Sequence, residues 1–253
     1  MRILLLGGTT EASALVRLLA GRPGFSPVLS LAGRTAAPVA APFETRIGGF
    51  GGTDGLADWL RREGAAAVID ATHPFANRIS HNAASACAAA GVPLLALRRP
   101  AWAREPGDRW HEVGSVAAAV PALGAGPRRV FLTVGRLELA AFAAAPQHAY
   151  LVRTIEPVGD ALPVPDLTTL TARGPFDAEA EAALMRRHRV EVVVTKNSGG
   201  AATRGKILAA RALGLDVVIV RQPVPPAVAT VAEPEAALDW LEAHRAASTL
   251  RGV

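Results

Sequence analysis

The residues best suited to chemistry lie in four short polar segments, each directly after an apolar run. The first segment, Gly-Gly-Thr-Thr-Glu-Ala at 7–12, follows the run Ile-Leu-Leu-Leu. A glycine turn before a helix attracts phosphate, because backbone N–H groups of the first helical turn lack partners and the helix dipole favours anions. Thr9 replaces the second glycine of the usual Gly-x-Gly-x-x-Gly pattern, so we expect the hydroxyl groups of Thr9 and Thr10 to bind phosphate in its place. A tight turn without a ligand is the alternative. The residues assigned to a cofactor here are Gly8, Thr9, Thr10 and Glu11.

The second segment ends the second apolar run and contains Ser30, Gly33 and Arg34, with no acidic residue among them. Dinucleotide-binding domains that prefer NAD usually carry an acidic residue here, whereas an arginine accommodates the 2′-phosphate of NADP. We therefore assign all three residues to a cofactor and expect NADP. A solvated loop arginine is the alternative interpretation of Arg34.

The third segment, Asp-Ala-Thr-His-Pro-Phe-Ala at 70–76, also follows an apolar run. Asp70, Thr72 and His73 would each need a partner if they were buried only for packing. We assign Asp70 and Thr72 to the cofactor. His73 is the candidate hydrogen-bond donor or acid, because a histidine titrates near neutral pH. A histidine that caps a helix or lies at the edge of the core is an equally good interpretation.

The fourth segment, Thr-Lys-Asn-Ser-Gly-Gly at 195–200, occupies the corresponding place in the second half of the chain. Its glycine pair before a helical stretch is a second candidate for anion binding. A turn without a ligand would have little need of a lysine, so we favour binding. The residues assigned to the cofactor are Lys196, Asn197, Ser198, Gly199 and Gly200.

The elements that must position these segments follow one repeated pattern. Apolar runs alternate with alanine-rich stretches, which is typical of a parallel sheet covered by helices. Val-Ile-Asp-Ala-Thr at 68–72 leads through a helical stretch to Arg99-Pro100, and Val-Val-Val-Thr at 192–195 leads in the same way to Arg221. The halves therefore resemble each other.

We predict an α/β fold with two Rossmann-like domains, residues 1–100 and 101–253, with their boundary between residues 98 and 128. The first domain is expected to bind the dinucleotide. Two such parallel sheets are expected to leave a cleft at the carboxyl ends of their strands, where open α/β sheets bind ligands.

Composition excludes several classes of protein. The chain has 253 residues, of which half are apolar, so it is long enough for one large or two small globular domains. Cys87 is the only cysteine, which excludes a disulfide framework and a cysteine-built metal site. No window approaches the apolar length of a membrane span. We therefore expect a soluble, cytoplasmic protein.

The basic residues are almost all arginines. The net charge is +5, and only Lys196 and Lys206 among the 27 basic residues are lysines. Arginine pairs bidentately with carboxylates and phosphates, although an arginine-rich proteome would explain the bias equally well. The arginines are scattered and aromatic residues are few, which argues against a nucleic-acid surface.

Several catalytic patterns are missing from the sequence. Tyr150 is the only tyrosine and Thr154 follows it by four, so the Tyr-x-x-x-Lys pair of short-chain dehydrogenases is absent. The six histidines show no metal-ligand spacing, and we expect no metal site. There is also no Gly-x-Ser-x-Gly elbow and no P-loop, so the sequence lacks the motifs expected of a serine hydrolase or a P-loop kinase.

Taken in order along the chain, these segments resemble the precorrin-6A reductase family of cobalamin biosynthesis. The matching blocks are residues 7–12, 70–76, 99–100, 134–136 and 195–200, followed by Lys206, Arg221 and Pro223. The resemblance covers nearly the whole chain, and jointly the blocks are far more specific than the glycine turn.

The resemblance implies NADPH-dependent reduction of precorrin-6A to precorrin-6B. The conjugated macrocycle is expected to spread incoming charge over its own ring nitrogens, so the protein mainly positions the reactants; His73 is the first candidate if an acid is needed. Precorrin-6A carries many carboxylates, and arginine side chains are suited to bind them. The residues assigned to substrate binding are Arg78, Arg99, Arg136, Arg153 and Arg221.

Other functions remain open at this point. The cobalt-containing substrate of the anaerobic pathway, another polyanionic small molecule and a non-catalytic NADP-binding regulatory module are the alternatives. Neighbouring pathway enzymes are the conceivable protein partners.

Overall fold

The computed structural model describes residues 1–33 and 41–250, without the side chains of 248–250. The chain divides into two compact units, Met1–Pro100 with Pro223–Val253, and Ala101–Gln222. Each unit contains one parallel six-stranded sheet with helices. The predicted α/β class with two Rossmann-like parallel sheets is confirmed.

Twelve strands and seven α-helices are described. The strands are β1 (Arg2–Leu6), β2 (Ser26–Leu31), β3 (Glu44–Ile47), β4 (Ala67–Asp70), β5 (Leu94–Leu97), β6 (Arg109–Val113), β7 (Arg129–Leu132), β8 (Ala149–Thr154), β9 (Leu167–Thr171), β10 (Val192–Lys196), β11 (Asp216–Val220) and β12 (Thr230–Val231). The helices are α1 (Thr10–Leu19), α2 (Gly52–Arg62), α3 (Asn77–Ala90), α4 (Val116–Ala122), α5 (Ala178–Arg187), α6 (Gly205–Ala212) and α7 (Pro234–Leu250). Short 3₁₀ helices cover Arg136–Ala144, Gly159–Ala161 and Ala201–Thr203.

Five strands of each sheet follow the same order, and the sixth, at the edge beside the fifth, differs in its place along the chain. The first runs β12-β5-β4-β1-β2-β3 and the second runs β6-β11-β10-β7-β8-β9. In the first sheet the chain starts in the middle at β1, moves outward through β2 and β3, and then returns to fill the other side. The second sheet repeats this path from β7 to β11, but its edge strand β6 comes before β7 along the chain. The turning point lies beside β1 in the first sheet and beside β7 in the second, and such a point is where ligands bind in open α/β sheets.

The central strands of the first sheet are buried on both faces, which explains why they are continuous apolar runs, whereas the edge strand β3 is largely exposed. Successive side chains of β1 point to opposite faces, so Ile3 and Leu5 contribute to one core cluster and Leu4 and Leu6 to the other. The helical residues that complete the two clusters are Leu15, Leu19 and Leu241 on one face and Leu56, Leu60 and Ala83 on the other.

The second sheet has a corresponding core. Phe131 of β7, Val193 of β10 and Val217 of β11 pack with Met185 of α5 and Ile207 of α6. Gly205 begins α6 at a crowded place, because a Cβ there would lie 2.3 Å from the carbonyl oxygen of Phe176.

The assignment of residues 223–253 to the second domain has to be corrected. This segment adds β12 to the first sheet, beside β5, and packs α7 against α1. In return β6, which follows β5 along the chain, pairs with β11 of the second sheet. The exchange was missed because strand–helix patterns appear in the same sequence order whichever sheet the last strand joins.

Two other elements differ from expectation. The alanine-rich stretch after β7, of the kind expected to be α-helical, is the 3₁₀ helix Arg136–Ala144. β6 and α4 lie in the stretch predicted as a domain boundary; in β6 only Trp110 and Val113 are buried, so the strand has no apolar run.

Candidate functional site

Three predicted segments meet at one edge of the first sheet. The parallel register pairs Leu6 of β1 with Ser30 of β2 on one side and with Asp70 of β4 on the other. The residues that follow these strands therefore leave the sheet side by side. The edge contains the glycine turn, the end of β2 and the Asp-x-Thr-His loop.

The glycine turn has the backbone shape that an anion site needs. A Cβ on Gly7 would lie 2.7 Å from Cδ1 of Leu29, so the turn packs closely against β2. Gly8 has φ of 127° and nothing lies within 4 Å of the position of its Cβ. The N-terminal N–H groups of α1 follow directly, and they favour a bound phosphate. These residues therefore fit the pyrophosphate of a dinucleotide.

Thr9 has a different role from the one predicted for its hydroxyl group. The Oγ1 atom accepts a hydrogen bond from Ala12 N at 3.1 Å, which caps α1, and donates to the carbonyl oxygen of Ala71 at 2.9 Å. Its single hydroxyl hydrogen is thus used to tie the glycine turn to the end of β4. Thr9 positions the turn, and only its backbone remains for an anion.

Thr10, Glu11 and Arg99 form a small polar group at the first turn of α1. Nη1 of Arg99 lies 2.7 Å from Oε2 of Glu11, and the hydroxyl of Thr10 donates to the same carboxylate at 3.1 Å. The Arg99 side chain is 15% exposed. Because the ion pair holds Arg99, a substrate carboxylate would have to compete with Glu11 for it.

Ser30 contacts an arginine that the sequence did not single out. Oγ of Ser30 accepts a hydrogen bond at 2.8 Å from Nη1 of Arg46, which also stacks on the ring of Phe50 at 3.7 Å from the centroid. Gly33 has φ of 71°, a left-handed conformation that favours glycine. Arg34, the predicted NADP determinant, lies outside the described residues.

Asp70 and Thr72 bind each other instead of pointing outward. Oδ1 of Asp70 accepts from the Thr72 hydroxyl at 2.6 Å and from its backbone N–H at 3.1 Å. Oδ2 of Asp70 lies 3.5 Å from Nη2 of Arg98, which also donates to Oγ of Ser80. Asp70 is only 3% exposed, and its carboxylate is neutralised inside the unit. The predicted direct contact of Asp70 and Thr72 with a cofactor is therefore not supported; the pair shapes the loop that carries His73.

The imidazole of His73 is oriented by its own loop. Nδ1 accepts a hydrogen bond from the backbone N–H of Phe75 at 3.2 Å. In the neutral ring the hydrogen is then on Nε2, so this atom is the donor. The ring is half-buried and lies 5.8 Å from the ring of Phe75, centroid to centroid. This tautomer suits the predicted role of hydrogen-bond donor. The predicted role of acid requires a second proton on Nδ1, which would displace the bond from Phe75.

The fourth segment, in the second unit, is held by contacts within that unit. Oδ1 of Asn197 accepts from Trp102 N at 2.7 Å, and Nδ2 donates to the Trp102 carbonyl at 3.0 Å. Lys196 forms an ion pair with Glu138. Gly199 and Gly200 have φ of 65° and 76°. Both amide atoms of Asn197 are occupied, so its predicted role as a cofactor ligand is replaced by that of a clamp.

Ser198 is more deeply buried than Asn197. The side chain is buried, with Oγ 3.5 Å from Oγ1 of Thr203. Lys206 is also buried; its Nζ donates to the Thr203 carbonyl at 2.9 Å and lies 5.2 Å from the Trp102 ring centroid. The side chains of this segment therefore stabilise a loop.

Arg153 does not have the exposure that its predicted role requires. It is 8% exposed, forms a bidentate pair with Glu181 that includes an Nη2–Oε2 contact of 2.8 Å, and stacks on Phe176 at 3.6 Å. Its assignment to substrate binding is therefore corrected: Arg153 anchors α5 to the second sheet.

The remaining predicted arginines are exposed. Arg78 lies in the first turn of α3, and Arg221 directly follows β11 with Nη2 near Gly114. Arg136 begins the first 3₁₀ helix and lines a concave region of about 390 Å³ in the second unit. Leu137, which is 72% exposed, lines the same region beside Arg136. Asp160 lines the region as well, so a ligand with carboxylates would meet one positive and one negative side chain beside the apolar ones.

The described part of the chain contains neither a candidate metal cluster nor a candidate membrane-spanning helix. Among residues 1–33 and 41–250, no three His, Cys, Asp or Glu side chains are grouped so that they could hold a metal ion. Within the same residues, no helix has the length and apolar character needed to cross a membrane.

Several curated proteins are similar to this chain over its whole length. A precorrin-6A reductase from Rhodobacter capsulatus is 51% identical over 252 residues, which covers 100% of this chain and 99% of that protein. One from Sinorhizobium is 54% identical over 244 residues, covering 95% and 94%. A cobalt-precorrin-6A reductase from Salmonella typhimurium is 29% identical over 238 residues, covering 88% of each.

A solved structure and a family model agree with these relatives. The structure named CobK precorrin-6A reductase has a TM-score of 0.91 and 51% identity, and the match covers 96% of this chain and 97% of that one. The model of the family described as precorrin-6x reductase CbiJ/CobK matches residues 2–242. The resemblance seen in the motifs is thus confirmed, and the chain belongs to the precorrin-6x reductase family of oxidoreductases.

Proposed function

We propose that this protein uses NADPH to reduce precorrin-6A to precorrin-6B in cobalamin biosynthesis. The observation that carries the proposal is the identity of 51% and 54%, over nearly full length, to two proteins named precorrin-6A reductase. The relative named for the cobalt-containing substrate is only 29% identical, which favours the metal-free substrate. We place the reaction in the cytoplasm.

The first unit is the proposed dinucleotide site. Bound NADPH would supply the hydride. The N–H groups at the start of α1 would hold its pyrophosphate where Gly8 leaves the backbone open, and the end of β2, which carries the buried Ser30, would lie beside its adenosine ribose. Thr9 supports this site by fixing the turn to Ala71, so that the donors are in place before binding.

The exposed arginines are the proposed contacts for substrate carboxylates. Arg136 beside the apolar side chain of Leu137 matches both the charged rim and the flat face of a tetrapyrrole. Arg78 and Arg221 are kept as proposed contacts because they too are exposed. The reduction adds a hydride and a proton. His73 is the proposed proton donor in its imidazolium form, which would give its Nε2 proton to the substrate and be left as a neutral ring.

The decisive experiment combines the purified protein, NADPH and precorrin-6A. We expect one NADPH to be oxidised for each macrocycle reduced, with a matching change in the tetrapyrrole spectrum. If neither spectrum changes, the reductase proposal fails, and a non-catalytic NADP-binding module becomes the better account.

A parallel reaction with cobalt-precorrin-6A separates the two pathways. We expect a higher kcat/KM for the metal-free substrate. A preference for the cobalt form would assign the protein to the anaerobic pathway instead.

A further inference from the structure

We propose that Arg46 binds the 2′-phosphate of NADPH and thereby sets the preference for NADPH over NADH. The inference rests on the proposed dinucleotide site of the first unit, and it names a specificity residue that lies outside the four segments found in the sequence.

The position of Arg46 follows from the register of three neighbouring strands. Ser30 of β2 pairs with Leu6 of β1 on one side and with Arg46 of β3 on the other. Adjacent strands are about 4.8 Å apart, so Arg46 lies two strands from the glycine turn. The adenosine ribose of a dinucleotide lies at the end of the second strand, where Ser30 is found. A phosphate on its 2′-oxygen would therefore be within reach of Arg46.

The hydrogen bonds of Arg46 leave one edge of its guanidinium group for a ligand. Nη1 donates to Ser30 Oγ at 2.8 Å and to the Gly48 carbonyl at 3.1 Å, and Nη2 donates to the Gly49 carbonyl at 2.9 Å. An arginine has five N–H groups, so these bonds account for three. The other two are on Nε and Nη2, the nitrogens of one edge of the group. That edge is the one that pairs bidentately with phosphate oxygens.

The charge of Arg46 also lacks a counterion in the described structure. Among residues 1–33 and 41–250, Arg46 forms no ion pair with a carboxylate, and its hydrogen-bond acceptors there are a hydroxyl and two carbonyls. Burial lowers the pKa of Arg46 from its ordinary value, as expected for a partly buried charge without a counterion. A phosphate would supply the missing negative charge.

The side chain is held in place before any ligand arrives. The guanidinium carbon lies 3.7 Å from the centroid of the Phe50 ring, which in turn packs edge-on against Trp59 of α2 at 5.6 Å. A fixed side chain loses less conformational entropy on binding, which strengthens the interaction. Ser30, which is only 6% exposed, contributes by accepting from Arg46 and so fixing the guanidinium group.

The test compares dinucleotide binding in Arg46→Gln, Arg46→Lys and the unaltered protein by calorimetry. We expect Arg46→Gln to raise the Kd for NADPH about 10- to 100-fold, the range for losing a charge-assisted hydrogen-bonded pair, and to leave the Kd for NADH unchanged. Arg46→Lys keeps the charge and loses the planar pair of N–H donors. Its Kd for NADPH should therefore lie between the values for the unaltered protein and for Arg46→Gln. Adenosine 2′,5′-bisphosphate should respond like NADPH, and 5′-AMP like NADH.

The matched control is Arg62→Gln, which removes the same charge from an exposed position on α2. It should change none of these values. An equal loss of NADPH and NADH binding in Arg46→Gln would overturn the proposal, since it would mean that Arg46 only supports the loop. Unchanged binding of NADPH and NADH in Arg46→Gln would overturn it as well. So would a result in which Arg34→Gln alone abolishes the whole preference for NADPH.

These outcomes are independent of turnover. A protein that binds NADPH through Arg46 but fails to reduce precorrin-6A would retain the Arg46 assignment and lose the proposed reaction.

Discussion

Asn197 holds the backbone of Trp102 with both atoms of its amide, at 2.7 Å for the accepted N–H and 3.0 Å for the donated bond to the carbonyl. The Trp102 indole N–H in turn donates to the Gly200 carbonyl at 3.0 Å. The two residues are 95 positions apart, so this clamp fixes the loop after β10 to the start of the second unit.

Replacement of Asn197 by Ala should destabilise the protein. The Trp102 N–H and carbonyl would lose their partners, and we expect the free energy of unfolding to fall by about 1–3 kcal/mol. Urea denaturation measures this. Asn82→Ala is the control, since Asn82 accepts only a 3.3 Å bond from Thr53; equal losses in the two variants would contradict the clamp.

Breaking the buried Arg153–Glu181 pair should lower the free energy of unfolding by more than the Asn197→Ala substitution does. Glu181→Ala leaves the Arg153 charge buried without a carboxylate, and we expect a loss of about 3–5 kcal/mol in the free energy of unfolding. Glu179→Ala, on the exposed side of α5, should cost less than about 1 kcal/mol. A Glu181→Ala variant with full stability but a raised KM for precorrin-6A would restore Arg153 as a substrate ligand.

His73→Ala tests the proposed proton donor. If His73 is the acid, kcat should fall by about 10²- to 10⁴-fold while the Kd for NADPH stays the same. His81→Ala removes an exposed histidine from α3 and serves as the control. A loss of only a few fold in His73→Ala would leave the substrate or solvent as the source of the proton.

Stability should fall in mild acid because of His148. This histidine is buried, and burial followed by the nearby charge of Arg128 lowers its pKa in the folded state. The unfolded chain, with a histidine pKa of about 6.5, takes up the proton more readily, so the free energy of unfolding decreases as pH falls below about 6.5. The loss continues down to the lowered pKa of the folded state.

Urea denaturation at several pH values measures this loss. His148→Gln cannot be protonated at this position, so its free energy of unfolding should fall less between about pH 7 and pH 5 than that of the unaltered protein. Parallel pH profiles for the two proteins would exclude His148 as the cause.

The sequence predicted most of the fold, because the apolar runs of β1, β4, β7 and β10 are buried on both faces and have no polar alternation to obscure them. The prediction from sequence failed for strands that are only partly buried. β6 buries Trp110 and Val113 but exposes His111 and Glu112, and β12 is two residues long. Neither strand could be assigned to a sheet from its own residues, since the pairing partner is set by tertiary contacts.

The site was predicted in position more successfully than in role. Gly8, Ser30 and Asp70 do lie at neighbouring strand ends, as parallel strands require. The partner of Asp70 is Arg98, which belongs to the next strand end and cannot be paired with it from spacing alone. Arg46 was overlooked because a single arginine in a short strand is common; the Gly-Gly-Phe that follows it was the available signal.

The exchanged sixth strands have a consequence for synthesis on the ribosome. Residues 101–222 form a continuous segment, so the second unit can close its sheet as soon as that stretch emerges. Most of the first unit is translated earlier, yet the outer edge of β5 has no strand to pair with until β12, near the end of the chain, has been synthesised. The usual order, in which N-terminal domains fold first during translation, is thus reversed for the final step. Until the chain is finished, the nascent first unit exposes an open strand edge on which other chains could pair.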